Sequence, residues 1–564
     1  MTTAASVLDT VLGALDAEQR AAATLPDGPA QIIAPAGSGK TTTMVARLAV
    51  LLARGVAPDR ICVVTFNRDA ALDLRARVEG RLAGAVPAAA RIEIRTLHAL
   101  ARQVLLDAGE SRTIVADRLP LLRAARRRVA EQGEAGRLVP EPAALDTILS
   151  AWKIEGRPPP EDAVPVLAAF AELLRVRGAV DFDDLVAGAA DRLETDPRLR
   201  LRWQHRFTHV CVDEFQDVDA AQLRLVRLLA APEDNLFVVG DDDQTIYAWR
   251  LADVRRILRF GQDYPAARRV MLATNYRCPV AVVEGSARLV AHNRERFAKP
   301  IRAPAGSSLD ASAIAAWSTA HPSSTEVLAR FAARERDEGR SICFLARTRA
   351  ELGPIQLALV RAGVPHATAI PALVETEPVV ALTDDARRTA VADGQHPFHV
   401  LRRLRAARGW VRGHPAGDRL SDEDHAALDA LLGWAAAFGT ASTLLAAYDR
   451  ARERIARLRD PGSPVELATV HAAKGREWET VVLIGFEADR MPNRRSIDEA
   501  ADPARAMEEE RRLAYVATTR ATRRLVLAFD PARPSPFLAE MGLAASMGHT
   551  ARSTIPMRRG PPAT

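Results

Sequence analysis

Short apolar runs that end in small or polar residues alternate with stretches of helical periodicity along most of this chain. Gln31-Ile32-Ile33-Ala34 reads as a strand. The small-residue loop Pro35-Ala36-Gly37-Ser38-Gly39 follows, and from Lys40-Thr41-Thr42 the apolar positions Met44, Val45, Leu48, Val50 and Leu51 fall at helical spacing. Ile61-Cys62-Val63-Val64-Thr65-Phe66-Asn67 is a β-branched strand with a polar end, and an amphipathic helix is expected from Asp69 to Leu82. Ile92 to His98 repeats the pattern. Strands alternating with helices predict α/β architecture with parallel sheets, in which the strand ends build the ligand site.

Strand signals vanish from about Ser111 to Gly178, where helical periodicity and basic clusters such as Arg126-Arg127-Arg128 predict a helical insertion. The α/β pattern resumes at Asp181-Phe182-Asp183-Asp184-Leu185 and continues through the strands Val210-Cys211-Val212 and Leu236 to Gly240. A second α/β unit is expected to begin at Val270. It is interrupted by a second helical stretch, which carries Arg402, Arg403, Arg405, Arg408 and Arg412. The expected division is therefore 1–110 with 179–269, an insertion at 111–178, then 270–372 with 465–545, and a second insertion at 373–464. The Ser/Arg/Pro/Gly-rich residues 546–564 read as a disordered tail.

Composition narrows the class. An apolar fraction of 48% and a charged fraction of 26% are those of an ordinary soluble protein, and 564 residues call for more than one domain. No uncharged apolar run is long enough to span a membrane, and Met1 to Asp16 lacks the basic and apolar regions of a secretory signal, so a cytoplasmic location is expected. A net charge of +6 and a pI near 9.4 suit a nucleic-acid partner but serve solubility equally well. Cys62, Cys211, Cys278 and Cys343 form no Cys-x-x-Cys pair and read as buried hydrophobes rather than a metal site.

The chemistry lies at the strand ends. Ala36-Gly37-Ser38-Gly39-Lys40-Thr41-Thr42 between a strand and a helix has the context of a phosphate-binding loop. Backbone N–H groups and a helix N-terminus face the anion, Lys40 is placed to reach the β- and γ-phosphates, and the Thr41 hydroxyl to ligate Mg²⁺. Val210-Cys211-Val212 delivers Asp213 and Glu214, suited to holding the Mg²⁺ shell and to polarising an attacking water. In the next acidic loop Gln244 is a candidate γ-phosphate sensor, and Tyr247 and Trp249, two residues apart ahead of Arg250, suit stacking on unpaired bases, although an aromatic pair in isolation reads as core packing. Gln19 offers the donor and acceptor that an adenine edge needs. Phe66 and His98, at strand ends, read alone as core or loop filling.

The order of these motifs resembles the UvrD/PcrA/Rep-type superfamily-one DNA helicases. The resemblance rests on Val-Asp-Glu-Phe-Gln-Asp (212–217), Gly-Asp-Asp-Asp-Gln-Thr-Ile-Tyr-Ala-Trp-Arg (240–250) and Asn-Tyr-Arg-Cys-Pro (275–279). It also rests on Thr-Val-His-Ala-Ala-Lys-Gly-Arg-Glu-Trp (469–478) and Glu-Glu-Glu-Arg-Arg-Leu-Ala-Tyr-Val-Ala-Thr-Thr-Arg-Ala (508–521). It implies two RecA-like P-loop domains, each with a helical insertion, and ATP with Mg²⁺ in the cleft between them. Gln19 would then read adenine, Tyr276 stack on it, and Glu477 bond the ribose. Arg277 and Arg520 would reach the γ-phosphate as arginine fingers. Phe66, His98, Tyr247, Trp249 and His471 would contact single-stranded DNA, with Gln244 relaying the state of ATP.

The implied activity is ATP-dependent translocation along single-stranded DNA, 3′ to 5′, with unwinding of tailed duplexes in repair or replication maintenance alongside repair proteins. Two departures stand out: Asp69 where the family usually has lysine, and a short second insertion. The second departure admits an alternative, a translocase that strips proteins from single strands and unwinds only with a partner. A third reading is a DNA-binding subunit that uses ATP as a switch. The intact set of Lys40, Asp213, Glu214, Gln244, Arg277 and Arg520 speaks against it.

Overall fold

The structure, a computed structural model, describes residues 2–83, 86–131, 140–389, 395–412, 414, 416–417 and 420–543. The expected tail at 546–564 lies outside them. The chain divides into two units: 1–276 with 294–301, and 277–293 with 302–564.

The first unit is built on a six-stranded sheet of β1 (Ala30–Ile33), β2 (Ile61–Thr65), β3 (Glu93–Thr96), β4 (His209–Val212), β5 (Leu236–Gly240) and β6 (Arg268–Met271), in the order β3-β2-β4-β5-β1-β6. Every pairing is parallel. Successive residues of a strand face opposite sides, so a strand covered on both faces must be apolar throughout. Ile32, Val63, Cys211, Phe237 and Val239 enter one core with helix Lys40–Ala53. Ile33, Cys62, Val64, Val212 and Val238 enter the other with helices Leu97–Asp107, Phe182–Thr195 and Ala220–Ala230. All four cysteines are free and buried. Burial pushes the Cys211 thiol up to about 12 and raises that of Cys62, so neither is a nucleophile.

Several boundaries differ from expectation. β6 pairs with β1, Ala30 opposite Arg268 through Ile33 opposite Met271, so 268–271 complete the first sheet and 270–276 belong to the first unit instead of opening the second. The α-helix expected to reach Leu82 runs Arg68–Val78 and ends in a π-helical turn, Glu79–Ala83. β3 stops at Thr96, whose hydroxyl accepts from the Ala99 N–H and caps the following helix, so His98 stands in a first helical turn rather than on a strand. The first insertion is bracketed by a short parallel pair, Thr113–Ile114 with Ala179–Val180, which the sequence pattern did not show. Its helices Leu119–Glu131, Pro142–Glu155 and Val164–Val176 close a small core of their own around Leu122, Leu149 and Phe170.

The second unit carries β7 (Ile314–Ser318), β8 (Ile342–Ala346), β9 (Val465–Thr469), β10 (Trp478–Ile484) and β11 (Ala521–Phe529), in the order β9-β8-β10-β11-β7, again wholly parallel. Between β8 and β9, helices Glu377–Arg388, Pro397–Ala407, Asp422–Ala435 and Ala441–Leu458 pack around Leu382, Leu401, Leu428 and Tyr448.

Candidate functional site

The phosphate loop leaves the end of β1. Gly39 caps the next helix at φ +82°, which calls for glycine, and a Cβ there would stand 2.6 Å from Gln19 Nε2 and displace that amide. Ser38 Oγ donates to Pro35 O at 2.7 Å, and Lys40 Nζ donates to Ala34 O at 3.3 Å, which holds the ammonium back over the loop. Thr41 and Thr42 sit half-buried in the first turn of the helix.

Gln19 and Tyr276 flank this loop. Gln19 Nε2 donates to Ser38 O at 2.9 Å, while its Oε1 accepts from the Asp16 N–H, so its amide braces the loop and caps its own helix. The Tyr276 N–H donates to Gly37 O at 2.9 Å, and its hydroxyl donates to Asp16 Oδ2 at 2.6 Å. Half of the Tyr276 side chain remains exposed. The two residues assigned to adenine are thus joined through Asp16. In this structure the Gln19 amide is engaged with protein, an arrangement that sequence spacing does not reveal.

β4 ends at Asp213, whose N–H donates to Val64 O at 3.0 Å. Glu214 takes φ +52°, a left-handed conformation that costs a non-glycine residue on the order of 1–3 kcal/mol and gathers at functional sites. Burial pushes the Asp213 carboxyl up to about 7. Neighbouring Glu214 adds to the shift, and Lys40 opposes it. A buried acid beside another acid, with one lysine nearby, is a donor set that a divalent cation would neutralise. The loop, Lys40, Thr41 and this pair therefore fit a magnesium-bound nucleotide.

Gln216, which the sequence reading did not single out, joins this pair to the next strand. Its Nε2 donates to Glu214 Oε2, and its Oε1 accepts from the Asp241 N–H at 2.9 Å. Asp241 Oδ2 in turn accepts from Gln244 Nε2 at 2.7 Å.

Beyond Gln244 the loop presents aromatic rings. Tyr247 stacks on Phe66 at 4.9 Å, Trp249 lies edge-on to Tyr247 at 6.2 Å, and Arg250 covers Trp249 at 5.0 Å. Trp249 is 62% exposed, whereas Phe66 and Tyr247 are half-buried. His98 meets Phe182 edge-on at 5.6 Å, and burial lowers its pKa so that it stays neutral. Phe182 is exposed in the first turn of the helix that Asp181 caps, and the sequence reading did not single it out. Three of the five residues assigned to DNA thus form one continuous row, and His98 belongs to a second pair.

In the second unit, Arg277 Nε donates to Glu477 Oε2 at 2.5 Å, and Arg277 Nη1 to Thr519 O at 3.5 Å. Arg520 is buried: its Nε donates to Val516 O at 2.9 Å and its Nη1 to Arg476 O at 3.2 Å. Arg277, Glu477 and Arg520 are therefore gathered around 476–477 and Thr519, with Glu477 held by an arginine. His471 lies half-buried in the turn after β9.

The UvrD/REP helicase N-terminal domain matches residues 15–265, and the UvrD-like helicase C-terminal domain matches 444–530. An ATP-dependent DNA helicase UvrD2 of Mycobacterium bovis is 30% identical over 585 aligned positions, covering 93% of this chain and 80% of the relative. The chain belongs to the UvrD/Rep helicase family. An ATP-dependent DNA helicase PcrA of Leuconostoc citreum is 31% identical over 380 positions, covering 64% of this chain and 50% of that protein. A PcrA of Staphylococcus epidermidis is 33% identical over 313 positions, or 50% of the chain and 41% of the relative. The chain thus matches half or less of the length of these PcrA relatives and four-fifths of UvrD2. No helix among the described residues is long and apolar enough to cross a membrane.

Proposed function

We propose that this UvrD/Rep-family chain hydrolyses ATP to move along single-stranded DNA, 3′ to 5′, unwinding tailed duplexes in repair or replication maintenance in the cytoplasm. The class, an ATP-driven DNA helicase, follows from family membership; the polarity, setting and residue roles are the proposal. One observation carries it. The phosphate loop, the Asp213–Glu214 pair and the Phe66–Tyr247–Trp249 row leave neighbouring strand ends of one sheet, and Gln216, Asp241 and Gln244 join the last two by hydrogen bonds.

In this reading the loop N–H groups and Lys40 bind the phosphates of ATP, and Thr41 and Asp213 hold Mg²⁺, which supplies charge neutralisation when bound. Glu214 takes the proton of the attacking water. Gln244 reports the γ-phosphate to Tyr247 and Trp249, while Gln19 and Tyr276 serve the base. We assign Arg277 and Arg520 to the γ-phosphate, Glu477 to the ribose and His471 to the DNA strand. A guanidinium suits the first task because it is always charged and bonds in bidentate fashion.

The second insertion, with four α-helices among its described residues packed around one core, supports a second reading, a translocase that strips proteins and unwinds only with a partner. ATP hydrolysis with and without single-stranded DNA, and strand displacement on 3′-tailed and 5′-tailed duplexes at one fixed salt concentration, separate these readings. Stimulated hydrolysis with 3′-tail displacement supports the helicase. Stimulation without displacement supports the partner-dependent translocase, and no stimulation overturns both.

A further inference from the structure

Three consecutive acids, Asp241, Asp242 and Asp243, are buried at the head of the loop that carries Gln244, Tyr247 and Trp249. One side chain meets all three. Lys299 Nζ lies 3.3 Å from Asp241 Oδ1, 2.6 Å from Asp242 Oδ1 and 2.7 Å from Asp243 Oδ2, and the Lys299 side chain is fully enclosed. Arg296 adds a forked pair to Asp243 at 3.0 and 2.8 Å, and the Phe297 N–H donates to Asp242 Oδ2 at 2.8 Å. Three carboxylates cannot be buried together as anions without such partners. The conformation of the loop therefore depends on segment 294–301. That segment belongs to the first unit, yet residues of the second unit flank it on both sides in the chain.

The same Asp241 is the junction of the path already described. Its N–H donates to Gln216, which bonds Glu214, and its other carboxylate oxygen accepts from Gln244. The path is tightly packed, because a Cβ on Gly240 would meet Gln216 Oε1 at 2.6 Å and Ile257 Cδ1 at 2.8 Å.

We infer that Lys299 is a positioning residue for ATP turnover: by holding Asp241 it fixes the register of Glu214 and Gln244, and it ties both to segment 294–301, where the chain returns to the first unit between two stretches of the second. Resting on the proposed function, this adds a residue outside every motif used to recognise the family. Lys299 touches neither ATP nor DNA in this role, so its loss should act on turnover rather than on affinity.

The test uses the full chain and compares wild type with Lys299→Met and with the charge-balanced pair Lys299→Met/Asp242→Asn, which removes one cation and one anion together. We expect the pair to melt within about 5 °C of wild type, with KM for ATP within about threefold and DNA-stimulated kcat down by about tenfold or more. Hydrogen exchange of 241–250, measured with and without magnesium and a non-hydrolysable ATP analogue, should respond to nucleotide in wild type and not in the pair. Wild-type turnover in the pair overturns the inference. So does a loss of kcat, KM and melting temperature together, or a failure of both variants to fold, since each makes the cluster a matter of stability alone. A wild type whose hydrolysis DNA does not stimulate sinks the helicase reading, whereas the exchange response of 241–250 still decides the role of Lys299.

Discussion

Tyr247 stacks on Phe66 with ring centroids 4.9 Å apart and planes 20° from parallel, so a residue of the loop after β5 and one at the end of β2 offer a continuous aromatic surface. Trp249 extends it toward solvent. A stacked base is typically worth about 1–3 kcal/mol, so Trp249→Ala should weaken single-strand binding by about 5- to 150-fold while leaving nucleotide affinity in place. Fluorescence anisotropy of a labelled oligonucleotide, beside titration of an ATP analogue, checks this. Unchanged DNA affinity would make Trp249 a surface residue without function.

Lys40 is the only lysine of the phosphate loop, and its amine is held over that loop by Ala34 O. Lys40→Ala should abolish ATP turnover at every DNA concentration. Steady-state hydrolysis within about twofold of wild type would show that the phosphate site lies elsewhere.

Asp213 carries a pH signature. Its folded-state carboxyl is raised to about 7 by burial and by Glu214, above its usual value of 3.8. The folded protein therefore holds this proton more tightly than the unfolded chain does, and stability from this group declines as pH rises from about 4 to about 7. Asp213→Asn should raise the melting temperature in chelator at pH 8 and leave it unchanged near pH 4. Added Mg²⁺ should stabilise wild type more at pH 8 than at pH 6, and the variant at neither. Calorimetry at these pH values decides it, and equal melting temperatures for both proteins at pH 8 would refute the shift.

Gln19 separates two roles. As a brace, its amide holds Ser38 O, so Gln19→Ala should weaken ATP and GTP alike. As an adenine reader, its loss should erase the preference between them. KM for each nucleotide in wild type and variant distinguishes the two. A variant unchanged for both nucleotides would exclude either role.

Much of this was legible in the chain. Apolar runs such as Val210-Cys211-Val212 and Leu236 to Gly240 are strands because residues facing both sides of a covered sheet must be apolar, and the phosphate loop and acidic pair are local in sequence. Contacts between distant segments were not legible. β6 belongs to the first sheet because its backbone pairs with Ala30–Ile33, although Val270 and Met271 look like the opening of a new unit. Lys299 looks like any surface lysine until the fold buries it against Asp241, Asp242 and Asp243. The sequence by itself determined the element types and the chemistry of the strand-end loops, because both follow from side-chain periodicity and short-range spacing. Only the tertiary structure decided which segments share a sheet, which rings stack and which cation neutralises the buried acids. Those outcomes depend on hydrogen bonds and charges brought together across tens to hundreds of residues.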